Sequence, residues 1–184
     1  MNVLAVCGSA RKEGNTATLM REALAGAGVP EAEIVFVSEL DMSGCRGCRK
    51  CRKEGLKGCV LKDEMQGLYD RMKAADALVI GSPVYYGEVT GQTKLFMDRW
   101  YALRDGERKL RLRDGMKVAF LLVQGADGAE RYAHTAGRLD KVMKSYGMEA
   151  EVVVFPSLEE KGSAKGSADS LARARKAGER LTGS

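Results

Sequence analysis

The strongest constraint on the fold is an alternation along the chain of short apolar runs with helical patterns. Val3 to Cys7, Ile34 to Val37, Ala77 to Ile80, Val118 to Val123 and Val152 to Phe155 are almost wholly apolar. Between them, Thr16 to Ala27, Asp63 onward, Gln92 to Leu103, Ala129 to Tyr146 and Ala168 to Leu181 carry apolar residues at helical spacing. Strands apolar on both faces belong to a parallel sheet covered on both sides, and right-handed crossovers then favour a doubly wound, three-layer α/β sandwich. Ligands of such sheets sit beyond the strand C-termini. Attention therefore falls on the loops after the first, third and fourth strands.

The chain has 184 residues, 45% of them hydrophobic, enough for one substantial core, so residues 1–184 are expected to form a single domain. The longest apolar run is Val118 to Val123, too short to span a bilayer. Val3 to Cys7 lacks a preceding basic region and makes no secretory signal, which predicts a cytoplasmic, reducing compartment. The formal net charge is +5, and it is local. Between Cys45 and Cys59 lie Arg46, Arg49, Lys50, Arg52, Lys53 and Lys57 against Glu54 alone, and the rest of the chain balances. A chain-wide basic surface for nucleic acid is not supported.

Gly8-Ser9-Ala10-Arg11-Lys12-Glu13-Gly14-Asn15-Thr16 links the first strand directly to a helix. Free N–H groups and the helix dipole make such a junction suited to a phosphate, with Ser9, Arg11, Asn15 and Thr16 as donors. It matches neither the P-loop nor the Gly-x-Gly-x-x-Gly pattern, and a simple capped turn is the alternative. After the third strand, Gly81-Ser82-Pro83 breaks the pattern, and Tyr85 and Tyr86 follow. Small residues there admit a flat ligand, tyrosines can stack on it and backbone amides can bond its heteroatoms. Two tyrosines covering a sheet edge would look the same.

Together GSARKEGNT and GSPVYYGEVTGQTKLFMDRW resemble the flavodoxin-like NAD(P)H-dependent FMN reductase group over most of residues 1 to 156. The resemblance implies FMN, with its phosphate held at Ser9, Arg11, Asn15 and Thr16 and its ring at Pro83, Val84, Tyr85, Tyr86 and Gly87. It also implies a flavodoxin-like five-stranded sheet of order 2-1-3-4-5 and a homodimer or homotetramer with FMN near a subunit boundary.

The most specific motif is Cys45-x2-Cys48-x2-Cys51-x7-Cys59, in a loop from Gly44 to Cys59 after the second strand. Successive two-residue spacers turn thiolates toward one centre, the spacing of iron–sulfur ligation, and Cys59 would complete a 4Fe–4S set. Zinc fits less well, because its knuckles are usually separated by a longer spacer. A disulfide is disfavoured in a reducing compartment.

With the FMN loops, this motif is similar to that of the iron–sulfur flavoproteins. That resemblance implies FMN and a 4Fe–4S cluster relaying electrons between a ferredoxin-like donor and a two-electron or oxidising acceptor. An NAD(P)H-dependent FMN or quinone reductase without a working cluster, a non-catalytic flavodoxin-type carrier and a zinc-knuckle binding module are the alternatives. The basic residues around the cysteines would favour a reduced cluster and could steer an acidic donor; a solvated loop is the plain alternative. Cys7 reads as core, His134 as surface, and Asp98 with Arg99 as an ion pair or subunit contact. Residues 156–166 read as a mobile polar connection. No side chain is assigned as a catalytic acid or base, because the cofactors carry the chemistry.

Overall fold

A computed structural model describes residues 1–53, 55–56 and 58–183; Glu54 and Lys57 of the basic segment lie outside the described residues. Five strands run parallel, β1 (Val3–Cys7), β2 (Ile34–Phe36), β3 (Ala77–Tyr85), β5 (Lys117–Val123) and β6 (Glu149–Phe155). A two-residue strand, β4 (Glu88–Val89), folds back antiparallel on the end of β3. The order β2-β1-β3-β5-β6 is the implied 2-1-3-4-5 once the parallel strands are counted among themselves.

Period-two alternation sorts each strand between two cores. Val3, Ala5, Cys7, Val79, Ala119 and Leu121 pack on α1 (Asn15–Gly26) and α5 (Ala168–Thr182). Leu4, Val6, Leu78, Ile80, Phe120 and Leu122 pack on the opposite face. There they meet α2 (Met65–Ala74), α3 (Gly91–Asp98) and α4 (Ala133–Ser145) through Met65, Met72, Phe96, Leu139 and Met143. Cys7 is fully buried on the first face, and burial raises its thiol pKa to about 11. Among the described residues no helix is long and apolar enough to cross a membrane.

Three differences from the sequence reading have local causes. Gly81-Ser82-Pro83 does not break β3; pairing with β5 continues to Pro83 opposite Val123. The Gly81 carbonyl accepts from Gly8 N–H at 2.7 Å, so Gly81 directs its backbone groups toward β1. Pro83, two residues on, faces the same side beyond the last paired residue of β1, where a missing N–H costs no ladder bond. The predicted third helix stops at Asp98 and tightens into a 3-10 segment over Arg99–Leu103.

The polar connection after β6 is anchored rather than mobile. Asn15 Nδ2 donates to the carbonyls of Leu158 and Glu160 at 2.9 and 2.8 Å, and its Oδ1 accepts from Gly162 and Ala164 N–H. The last helix, poor in large apolar residues, is instead held by close backbone approach. A Cβ built on Gly178 would lie 1.8 Å from the Ala23 carbonyl oxygen, and one on Gly26 would lie 2.0 Å from that of Arg175.

That contact predicts opposite outcomes for two helical glycines. Gly178→Ala must push α1 and α5 apart and lowers stability by about 1–3 kcal/mol despite its better helix propensity. Gly137→Ala on α4, with nothing within 4 Å of the added methyl, raises it by up to about 1 kcal/mol. Urea unfolding of both variants measures the difference.

Candidate functional site

The C-terminal ends of β1, β3 and β5 open into one cavity of about 330 Å³, within the size range of cofactor pockets. Its floor is the turn leading into α1. Ser9, buried, accepts the Arg11 N–H on Oγ at 3.1 Å, and Gly14 N–H donates to the Arg11 carbonyl at 3.0 Å. Gly14 is the N-cap and supplies no side-chain cap, so the first-turn N–H groups of α1 are left for a ligand or water. The neighbouring charges are neutralised by pairs, Lys12 with Glu39 at 2.7 Å and Arg21 with Glu13 at 2.9 Å. Arg11 lines the cavity and is in no ion pair among the described residues.

Pro83, Val84 and Tyr85 form a second wall and Val123 with Gly125 a third. The structure thus brings Ser9, Arg11, Asn15, Thr16, Pro83, Val84 and Tyr85 to one cavity. Asn15 lines it, but its amide is engaged by the 158–164 segment, so it shapes the wall rather than offering a free side-chain donor. Tyr86 and Gly87 do not line it. They form the tight turn between β3 and β4, with φ of 51° and 82°. Positive φ at both central residues is what a two-residue type I′ hairpin needs, and the turn leaves Tyr86 fully exposed. A tyrosine in place of the usual Asn hid this hairpin from the sequence reading.

Sequence reasoning missed the fourth wall, Leu158, Glu159 and Lys161, which Asn15 draws in from a segment with no motif of its own. It also gave little weight to Gln124, which is buried between two lining residues. Gln124 Nε2 donates to the carbonyls of Ala126 and Gly128 at 3.1 and 2.8 Å, holding that loop in shape. Its Oε1 is buried with no hydrogen-bond partner. Walls of Pro83, Val84 and Gly125 would admit a flat ring, and a phosphate would satisfy the free N–H groups and Arg11. These residues fit FMN.

On the α2–α3 side, Cys45, Cys48, Cys51 and Cys59 line one small hollow of about 20 Å³, and all four thiols are free. Left-handed backbone at Gly47 and Arg49, with φ of 63° and 55°, turns the chain between successive cysteines. Cys45 and Cys48 are exposed, Cys51 is buried and Cys59 is intermediate. Burial raises the Cys51 thiol pKa; the nearby Arg52 pulls it down, while Cys59 and Cys45 push it up. Among the described residues no three Cys, His, Asp or Glu side chains stand close enough to hold a single metal ion. The residue types nonetheless have the chemistry of a thiolate-ligated cluster: four cysteines with free thiols line one hollow, with arginines beside them.

Arg99 closes the inner side of this hollow and was missed as a site residue. It does not pair with Asp98, whose partner is Lys94; it pairs with Asp63. Nη1 donates to Asp63 Oδ2 and the Ser43 carbonyl, both at 2.6 Å, and Nη2 to Asp63 Oδ1 at 3.0 Å and Cys59 Sγ at 3.5 Å. Burial works against the Asp63 charge, but the Arg99 hydrogen bonds prevail and hold its carboxyl below the usual range. Some of the basic loop is structural too. Arg52 stacks on Tyr101 with 4.1 Å to the ring centroid and donates to the Asp105 carbonyl at 2.6 Å.

An NAD(P)H:quinone oxidoreductase from Methanothermobacter marburgensis shares the fold, with a TM-score of 0.74 at 17% identity over 99% of this chain and 97% of that one. An iron–sulfur flavoprotein of Methanocaldococcus jannaschii is 41% identical over 122 residues, 65% of this chain and 61% of the relative. One from Archaeoglobus fulgidus is 32% identical over 151 residues, 80% of this chain and 64% of the relative. The chain thus spans somewhat less than two thirds of the length of the curated relatives it matches. The family model described as NADPH-dependent FMN reductase matches residues 1–158, and the chain belongs to that family.

Proposed function

We propose that this chain is a flavin-dependent oxidoreductase of the iron–sulfur flavoprotein type. FMN would be held in the cavity at the strand ends and a 4Fe–4S cluster on Cys45, Cys48, Cys51 and Cys59. The observation that carries this reading is that all four cysteines of the motif line one hollow, in a chain with a separate cavity at its strand ends. FMN accepts electrons singly or in pairs, and a 4Fe–4S cluster passes them singly, so together they suit exchange between a ferredoxin-like donor and a two-electron or oxidising acceptor.

The protein's own residues supply binding and exclusion of water. Arg11 and the uncapped first turn of α1 meet the phosphate charge. Val84 and Tyr85 present an apolar wall, and Asn15 keeps the 158–164 segment closed over the opposite side. Exposed Arg46, Arg49, Lys50 and Lys53 surround the cysteines and offer an acidic donor a matching surface. A homodimer or homotetramer, as the resemblance implies, would bring flavin and cluster of neighbouring chains together. A second reading has NADPH as the donor to the flavin; the family match favours it.

Three outcomes are expected. Anaerobically purified protein carries FMN and about four irons with about four acid-labile sulfides per chain. Cys51→Ser loses the iron but keeps the flavin spectrum; flavin without iron in the wild type, bleached rapidly by NADPH, selects the second reading instead.

Arg11→Ala weakens FMN binding about 10–100-fold, the worth of one charge-assisted hydrogen bond, yet leaves binding of riboflavin, which has no phosphate, unchanged. Fluorescence titration with both flavins checks this, and equal losses for the two would show that Arg11 does not meet the phosphate.

Replacing Arg46, Arg49, Lys50 and Lys53 by Gln flattens the dependence of reduction rate on ionic strength when reduced ferredoxin is the donor. Stopped-flow rates that keep their salt slope would remove the docking role of these side chains.

A further inference from the structure

Arg99 is only 1% exposed, and its position is unusual for a charged side chain. It sits where α3 ends, between the methionine-rich core of α2 and the cysteine hollow. Every part of its guanidinium is committed. Nε donates to Tyr69 Oη at 3.3 Å, while Tyr69 Oη itself donates to the Arg99 carbonyl at 2.8 Å. Nη1 takes the Ser43 carbonyl and one Asp63 oxygen, and Nη2 takes the other Asp63 oxygen and Cys59 Sγ. A buried ion pair is costly to desolvate and often adds nothing to stability over apolar residues of similar size. Bulk packing therefore gives no reason for an arginine here.

The bonds themselves supply the reason. Ser43 lies at the start of the cysteine loop and Cys59 at its end, so one rigid fork ties both ends of that loop to the body of the protein. Asp63 orients the fork with a two-point contact and also accepts the Ser43 N–H at 3.1 Å. The remaining donor, after these partners are satisfied, points at sulfur. Lysine could not replace it, because an ammonium has no planar fork to hold Asp63, Ser43 and Cys59 together.

We propose that Arg99 is a positioning residue of the cysteine centre: it fixes Cys59 in the hollow and donates a hydrogen bond to its sulfur when that sulfur is ligated. This rests on the assignment of the four cysteines as metal ligands and goes beyond it. A hydrogen bond to a ligating thiolate removes electron density from it and favours the more negative, reduced state of the centre. Arg99 then both orders the site and raises its potential.

Two measurements on the full chain test this. The first titrates reduced, metal-free protein with Co²⁺, which must draw the separated thiols together, and follows the sulfur-to-cobalt charge-transfer absorbance. Arg99→Gln and Arg99→Lys weaken Co²⁺ binding about 10–100-fold, and Asp63→Asn weakens it in the same direction by less. The second compares reduction potentials after iron–sulfur reconstitution, and Arg99→Lys gives a lower potential than wild type at the same iron content. Should Arg99→Gln fail to fold, as judged by FMN binding, Arg99→Lys and Asp63→Asn carry the test. Unchanged Co²⁺ affinity in the folded variants overturns the proposal, as does an unchanged or raised potential or a wild-type chain that takes up no Co²⁺. Wild type that binds Co²⁺ but assembles no cluster overturns the iron assignment alone, and the Co²⁺ series still decides the role of Arg99.

Discussion

At the end of the first strand Gly8 lies against α3 so closely that a Cβ there would sit 1.7 Å from the Thr93 hydroxyl. The Thr90 hydroxyl donates to the Gly8 carbonyl at 2.8 Å and is 2.8 Å from that of Thr93, which donates to Ser82 Oγ at 3.0 Å. All of these hydroxyls are buried. The network locks the start of the loop after β1, the end of β3 and the start of α3 into one unit, because each hydroxyl would be costly to bury without its partners. Gly81 adds to it, since a Cβ there would lie 2.5 Å from Met20 Sδ.

From that unit α3 runs as a rod to Arg99. Its first turn is capped by Thr90, which is bonded to the end of the first strand, and its end delivers the guanidinium to the cysteine hollow. Among the described residues none lines both spaces. This helix and the strands beneath it connect the two, an uncapped helix start at one and four cysteines at the other. The charge excess lies beside the second alone, and part of it is bound into the loop by stacking and backbone contacts, as Arg52 shows.

Most of the fold was legible in the sequence because it follows from periodicity. Continuous apolar runs can only be buried strands, and the intervening 3.6-residue patterns can only cover them. The turn into the first helix and the cysteine spacing stood out for a related reason: each concentrates its polar or sulfur residues within a short stretch of chain. What escaped was held by contacts distant in sequence. Asn15 looks like a phosphate donor in its local context, and only the return of residues 158–164 reveals its other partners. Arg99 looks like the neighbour of Asp98, yet helix geometry sends it to Asp63, 36 residues away.

The sequence by itself therefore determined the layered architecture, the place of the turn that opens the first helix and the set of cysteines, since local pattern and residue type suffice for these. Tertiary structure alone decided which side chains are free to meet a ligand and which are spent holding walls in place. The physical reason is that a buried polar group must be partnered, and its partner is chosen by proximity in space rather than along the chain.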